Sequence, residues 1–422
     1  MNAPAVPLWR QREYMLLWSG QVVTTLGAQA SGIIYPLLIL ALTGSPAQAS
    51  WATALRMVPY LVLVLPVGAL IDRWDRRRVM LVCHVGRGLA VASLPAAMAL
   101  DLLVVGHIYV VAVLEGALHV FFNIAETAAL PRVVSAGQLP QATAQNQAGF
   151  ATAAIVGPAL GSWLYQAVGR GFPFVVDTAS HVLGAWAVWR LRTSFAPAPG
   201  RSRGSLRAEV MEGLRWLWHQ RVVRDMALIT CGLNFVNAAL PLVLIVRGQE
   251  LGASEAQIGL VFSLGGIGAI VGAALGGMVA ARLSFGQAIG LSVTVKALSL
   301  PLMGLADGPL ALGLVYALAS LFGPLYDVVQ FSYRIALIPD ALQGRVNSGF
   351  RLFAFLLNPV GAALGGWLLE QGGSAAALLV FGVVSALLAA AVRFDPAVWK
   401  ARRLAPAAAP TPPGSERGQG LR

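Results

Sequence analysis

Val156 to Gln166 reads VGPALGSWLYQ, and Val360 to Glu370, 204 positions later, reads VGAALGGWLLE. Glycines, leucines and a tryptophan recur at matching places in two otherwise apolar strings. Each string follows a proline, Pro131 or Pro339, that closes the preceding apolar run. Small residues at helix spacing set how closely one helix packs on another in a membrane. Their recurrence marks a duplicated bundle, with two parallel halves related by an axis along the membrane normal.

The rest of the chain has the composition such a bundle needs. Of 422 residues, 57% are hydrophobic and 11% are charged, against about 25% charged in soluble domains. A spanning helix takes about 20 mostly apolar residues. Such runs fall at roughly 15–42, 49–71, 78–100, 106–130, 139–166, 171–191, 224–249, 256–281, 285–306, 309–337, 345–369 and 374–394. The expected fold is an all-α membrane protein of about twelve transmembrane helices in two pseudo-symmetric six-helix bundles.

Net charge is +12, which in a soluble chain would raise nucleic acid as a partner. Here the basic residues cluster by loop. Arg10, Arg12, Arg73, Arg76, Arg77, Arg78 and Arg132, eight more in 190–224, Arg282, Arg334, Arg345 and six from Arg393 onward fall on one side. Arg170 and Arg247 fall on the other. By the positive-inside rule the arginine-rich side and both termini face the cytoplasm, so basicity reads as topology and no nucleic acid is expected. Residues 1–191 are read as the first bundle and 192–223 as a cytoplasmic linker with an amphipathic helix at the membrane surface. Residues 224–395 form the second bundle, and 396–422 a disordered cytoplasmic tail. The N-terminal apolar run is too long for a signal-peptide core and is expected to stay as the first helix. Cys83 and Cys231 lie in different halves, read as buried structural thiols with no disulfide.

Between the second and third runs, residues 68–78 read GALIDRWDRRR. Glycine permits a tight helix exit, and an acid among arginines builds a charge network; the arginines would also enforce orientation by themselves. The stretch resembles the signature of the major facilitator superfamily, G-x-L-x-D-R-x-G-R-R. It matches at Gly68, Leu70, Asp72, Arg73, Arg76 and Arg77, with Asp75 in place of the second glycine. The resemblance implies a conformational latch, with Asp72 at the start of helix 11 near Asn347 and Ser348, where a helix N-terminus favours an anion. Gly157, Pro158 and Gly161 resemble the family's G-P-x-x-G motif of exporters; ordinary small-residue packing would look the same. Residues 17–21 (LWSGQ), Leu26-Gly27 and the run from Phe121 to Pro131 extend the likeness to the twelve-helix drug:proton antiporters, which include macrolide and siderophore exporters. Ala28 stands where many of these carry an acid, and Ala112 where helix 4 often has an arginine.

Charges within the bilayer are costly and therefore candidates for function. Glu126 is expected to pair with Arg73 or Arg76. Glu115 precedes His119 by one turn, so the two share a face and form either a proton-coupling pair or a hydrogen-bonded packing pair. Tyr326, Asp327 and Gln330 make an aromatic, polar surface suited to a substrate or to gating, with Arg351 as the counter-charge; a static Asp327–Arg351 pair is the alternative. Arg87, Asp177 and Lys296 fall on helices that the resemblance makes peripheral, and are expected to stabilise or snorkel.

No G-x-x-x-x-G-K-[ST] string, metal-ligand spacing or nucleophile with a positioned base is present, so neither ATP, a cofactor nor an enzyme activity is expected. The resemblance implies secondary export of a small amphipathic compound, a drug, siderophore or metabolite, by proton antiport from a monomer in the plasma membrane. Import of a nutrient by the same fold and a non-transporting membrane receptor are the alternatives. The topology is directly testable. In a background lacking Cys83 and Cys231, cysteines at Gly44 and Gly308 should react with an impermeant thiol reagent outside intact cells. One at Ser202 should not, and its labelling would overturn the orientation.

Overall fold

A computed structural model describes residues 6–71, 73–195, 206–339, 342–399 and 401. The described residues form helices and no strand. In the first half these are α1 (Arg12–Gly32), α2 (Ile34–Thr43), α3 (Pro46–Ile71), α4 (Arg76–Ala99), α5 (Val105–Val133), α6 (Leu139–Ala167) and α7 (Phe172–Trp189). Helix α8 (Leu206–His219) follows the linker. The second half contains α9 (Arg221–Glu250), α10 (Glu255–Arg282), α11 (Phe285–Gly304), α12 (Pro309–Leu321), α13 (Gly323–Leu337), α14 (Gln343–Phe355) and α15 (Asn358–Phe394). Runs such as Val105–Val133 and Arg221–Glu250 are long and apolar enough to cross a membrane.

Among the described residues these helices make twelve crossings, because some are pieces of one crossing and α15 holds parts of two. Gly373 interrupts α15 at φ 69°, ψ −174°, a left-handed turn that glycine adopts without a Cβ penalty. The chain reverses there. Glu250 stabilises the new helix start by accepting from the Ser374 amide at 3.1 Å and from the Ser374 hydroxyl.

Three crossings expected to be continuous are broken, at Ile33, Phe322 and Leu356–Leu357. A proline follows each break within three residues: Pro36, Pro324 and Pro359. Proline lacks the amide donor and its ring clashes with the carbonyl four residues back. It is not sufficient, since α3, α4, α6, α9 and α11 carry prolines without breaking. At each break it is joined by a poor helix former beside it, Gly32, Gly323 or Asn358.

The sequence repeat becomes a packing repeat. A Cβ built on Gly161 would lie 2.0 Å from the Ala30 carbonyl oxygen, and one on Gly157 2.5 Å from Gln29 Cβ. In the second half, a Cβ on Gly361 would lie 2.1 Å from the Phe235 oxygen, and one on Gly365 2.5 Å from Ala239 Cβ. Thus α6 sits backbone to backbone on α1, and α15 does the same on α9.

The halves meet at the end opposite the arginine-rich loops. Ser263 donates to the Ile155 carbonyl at 2.9 Å, and the Ala256 amide to Gln166 Oε1 at 3.1 Å, joining α10 to α6. Ser45 donates to Glu370 at 3.3 Å, and Gly366 packs on Ser50, joining α3 to α15. Helix α8 does not leave its apolar stripe to lipid alone. Leu217 is buried, Trp218 stacks obliquely on Phe353 at 5.9 Å, and Glu212 pairs with Arg345 of α14.

Gly161→Ala should force α1 and α6 apart at a cost of about 1–3 kcal/mol, lowering the midpoint of thermal unfolding, and Gly361→Ala should do likewise. Gly68→Ala should leave the midpoint unchanged, because a Cβ there meets nothing within 4 Å. Wild-type stability of Gly161→Ala would mean that the two helices have room to separate.

Candidate functional site: a cavity between the halves and a buried charge network

Behind the contacts that join the halves lies a central cavity of about 650 Å³. Both halves line it, through Gln29, Tyr35, Arg56, Tyr60, His119 and Pro158 on one side and Phe262, Tyr316, Arg351, Phe355 and Asn358 on the other. The first broken crossing exposes its irregular stretch here, with Gly32 and Ile33 on the wall, and Phe355 and Asn358 flank the break at Leu356–Leu357. Tyr60 and Phe355 meet edge to face at 5.8 Å.

Glu115 is fully buried beside this cavity. Its Oε1 accepts from Arg56 at 2.8 Å and Arg87 at 3.0 Å, and its Oε2 from the Tyr35 hydroxyl at 3.1 Å. His119 shares its helix face but not its partners: it lines the cavity, with no hydrogen bond to Glu115. A lone carboxylate in such surroundings would be costly, whereas one with two guanidiniums and a phenol is fully satisfied.

Of the two roles expected for Arg87 and Asp177, stabilising or snorkelling, the structure rules out snorkelling. Arg87 is 4% exposed and Asp177 0%. Asp177 Oδ2 accepts from Ser31 at 2.6 Å, and its Oδ1 lies 3.3 Å from the Ser180 hydroxyl and 3.6 Å from His181 Nε2. His181 Nδ1 in turn faces His84 Nδ1 at 3.3 Å. Two facing ring nitrogens share one hydrogen bond only if one is protonated and the other is not. Helices α1, α4 and α7 thus enclose a row of proton-bearing groups. The signal was present in sequence: Asp177 and His181 have the same one-turn spacing as Glu115 and His119. Position alone had set them aside.

In the second half the expected Asp327–Arg351 pair does not form. Asp327, Tyr326 and Lys296 line a separate polar cavity of about 420 Å³, while Arg351 faces the central one. Lys296 is therefore turned into the bundle rather than snorkelling outward. Tyr326 bonds Thr230 at 2.7 Å. Gln330 is buried with Nε2 unpartnered among the described residues, and Arg334, counted with the cytoplasmic arginines at the end of its run, is buried with its guanidinium 4.0 Å over Phe350.

Asp72, the centre of the expected latch, lies outside the described residues. Arg73 is exposed. Arg77 donates to the Val188 carbonyl at 3.2 Å and to that of Trp189, holding the C-terminus of α7, where a cation is favourable. Asp75, the departure from the family signature, caps α4 by accepting from the Arg78 amide at 3.1 Å. Glu126 does not pair with Arg73 or Arg76. It accepts from Gln21 at 3.1 Å and Asn146 at 3.4 Å, tying α5 to α1 and α6.

The triad of Glu115, Arg56 and Arg87 gives a stability prediction. Glu115→Gln strands two guanidiniums and should cost about 3–5 kcal/mol, seen as early thermal unfolding of purified protein. Adding Arg87→Met should recover part of the loss. Wild-type stability in the single variant would mean that the ion pairs hold nothing together.

Comparison with known proteins agrees with this architecture. The family model described as Major Facilitator Superfamily matches residues 17–248 and 226–419. The multidrug efflux pump Tap of Mycolicibacterium fortuitum is 28% identical over 380 residues, covering 86% of this chain and 91% of that protein. The enterobactin exporter EntS of Escherichia coli O1:K1 / APEC is 25% identical over 377 residues, covering 86% and 88%. A bacterial homologue of the human lysosomal transporter Spinster, solved in an inward-facing and unoccupied conformation, superposes with a TM-score of 0.71 at 13% identity, over 94% of this chain and 99% of that one. With the duplicated bundle, the central cavity and a family match along nearly its whole length, the chain belongs to the major facilitator superfamily.

Proposed function

We propose that this protein is a secondary exporter that moves a small amphipathic compound out of the cell by alternating access, driven by protons entering in exchange. The observation that carries this reading is the cavity between two pseudo-symmetric halves, held shut at one end. In this reading the arginine-rich end and both termini are cytoplasmic, so the state described is open inward. The names of the relatives Tap and EntS favour export over import. The contacts at the closed end are small residues and single hydrogen bonds, which can separate as the halves rock. Asp72, Arg73 and Arg76 would form the latch that closes the cytoplasmic end in the other state.

The proton is carried in the first half. Glu115 is part of this path, but protonating it would leave Arg56 and Arg87 facing no anion. Asp177 is the carboxylate that can change its proton with least disturbance, since its neighbours Ser31, Ser180 and His181 can reorient or share a proton. With both acids charged and the histidines neutral, Arg56 and Arg87 balance Glu115 and Asp177. One added proton leaves the group with a single positive charge, which Tyr35 and Arg56 report to the cavity, where His119 also stands.

Reconstituted in liposomes, the protein should accumulate substrate against its gradient when a proton gradient is imposed, and an uncoupler should abolish this. Asp177→Asn should remove the uphill transport yet retain downhill exchange. Full proton-driven transport by Asp177→Asn would place the coupling group elsewhere, and indifference to the uncoupler would overturn proton antiport itself.

A further inference from the structure

The charge of the central cavity is one-sided. Arg56 and Arg351 both line it, one from each half, and no aspartate or glutamate is among its lining residues. Arg351 has no ion pair or hydrogen bond among the described residues, and the Arg56 side chain remains 31% exposed beyond its contact with Glu115. Of the nearby acids only Glu115 touches either guanidinium: it pairs with Arg56 but is shared with Arg87, and it does not reach Arg351. Glu115 is fully buried between two arginines, Asp177 is sealed behind Ser31, and Asp327 faces the other cavity. Around the guanidiniums stand Tyr35, Tyr60, Tyr316 and Phe355.

An unpartnered guanidinium inside a bilayer-spanning bundle is costly unless something polar faces it. Guanidinium groups match carboxylate, sulfonate and phenolate oxygens, often through two parallel hydrogen bonds. Aromatic walls supply apolar area and rigid faces for a ring system. A cationic drug would find two like charges and no anion. We propose that the substrate of this cavity is an amphipathic anion, an aromatic compound whose acidic group is held between Arg56 and Arg351. The proposal rests on the reading of this cavity as the transport site.

Fluorescein and rhodamine 123 share a xanthene–phenyl scaffold of nearly the same size but carry opposite charge at pH 8. With the full chain in lipid nanodiscs, fluorescence anisotropy should give fluorescein a Kd at least about tenfold below that of rhodamine 123. Arg351→Gln, which removes a side chain with no structural partner, should weaken fluorescein by about tenfold or more and leave rhodamine 123 unchanged or tighter. Arg351→Lys should keep most of the affinity. Equal or tighter binding of rhodamine 123, no binding of fluorescein, or an unchanged ratio in Arg351→Gln would each overturn the proposal. Transport of the same dyes separates the two readings. Fluorescein bound but not exported by reconstituted protein would sink the export reading and leave the ligand class standing. Preferential export of rhodamine 123 would do the reverse.

Discussion

A charge placed among helices that face hydrocarbon must find an opposite charge or an open polar space, and the interior of this protein is arranged around that requirement. Glu115 satisfies it with Arg56, Arg87 and Tyr35, drawing together α2, α3, α4 and α5. Asp177 satisfies it through Ser31 and the two histidines, adding α1 and α7. The first half is thereby a closed polar framework. The second half is not: Lys296, Asp327 and Arg351 all face cavities. Similar helices carry a consolidated polar network in one half and cavity-facing charges in the other, so the duplicated fold is not duplicated in its charges.

The same framework depends on backbones that approach without side chains between them. Gly157 and Gly161 bring α6 onto α1 at Gln29 and Ala30, next to the break at Ile33. That break frees a short stretch of chain at the central cavity wall, and the break at Phe322 frees one at the wall of the second cavity. Irregular backbone is tolerated at this depth where it lines a cavity and has polar company. Tight packing on one side and a broken helix on the other give the central cavity rigid walls with local points at which the halves can bend.

Much of this was readable before any fold was known. The positions of the crossings, the duplication and the need for glycine at residues 157, 161 and 361 follow from hydropathy and small-residue spacing, which are properties of single helices. The partners of the charges did not follow. Depth in the membrane suggests Arg73 or Arg76, in the cytoplasmic loop, as partners for Glu126, yet Gln21 and Asn146 hold it. Arg351 reads as the counter-charge of Asp327, yet the two face different cavities.

The difference has one physical cause. Periodicity fixes which residues share a face of one helix, because 3.6 residues per turn is set by the backbone itself. It does not fix how far that helix is rotated about its axis against its neighbours, and a proline break resets the rotation partway along. The sequence alone therefore determined the membrane class, the twelve crossings, the paired halves and the sidedness of the arginines. Only the tertiary packing decided that Arg87 meets Glu115, that Asp177 meets Ser31, and that Arg56 and Arg351 face the central cavity with no acid among its described lining residues.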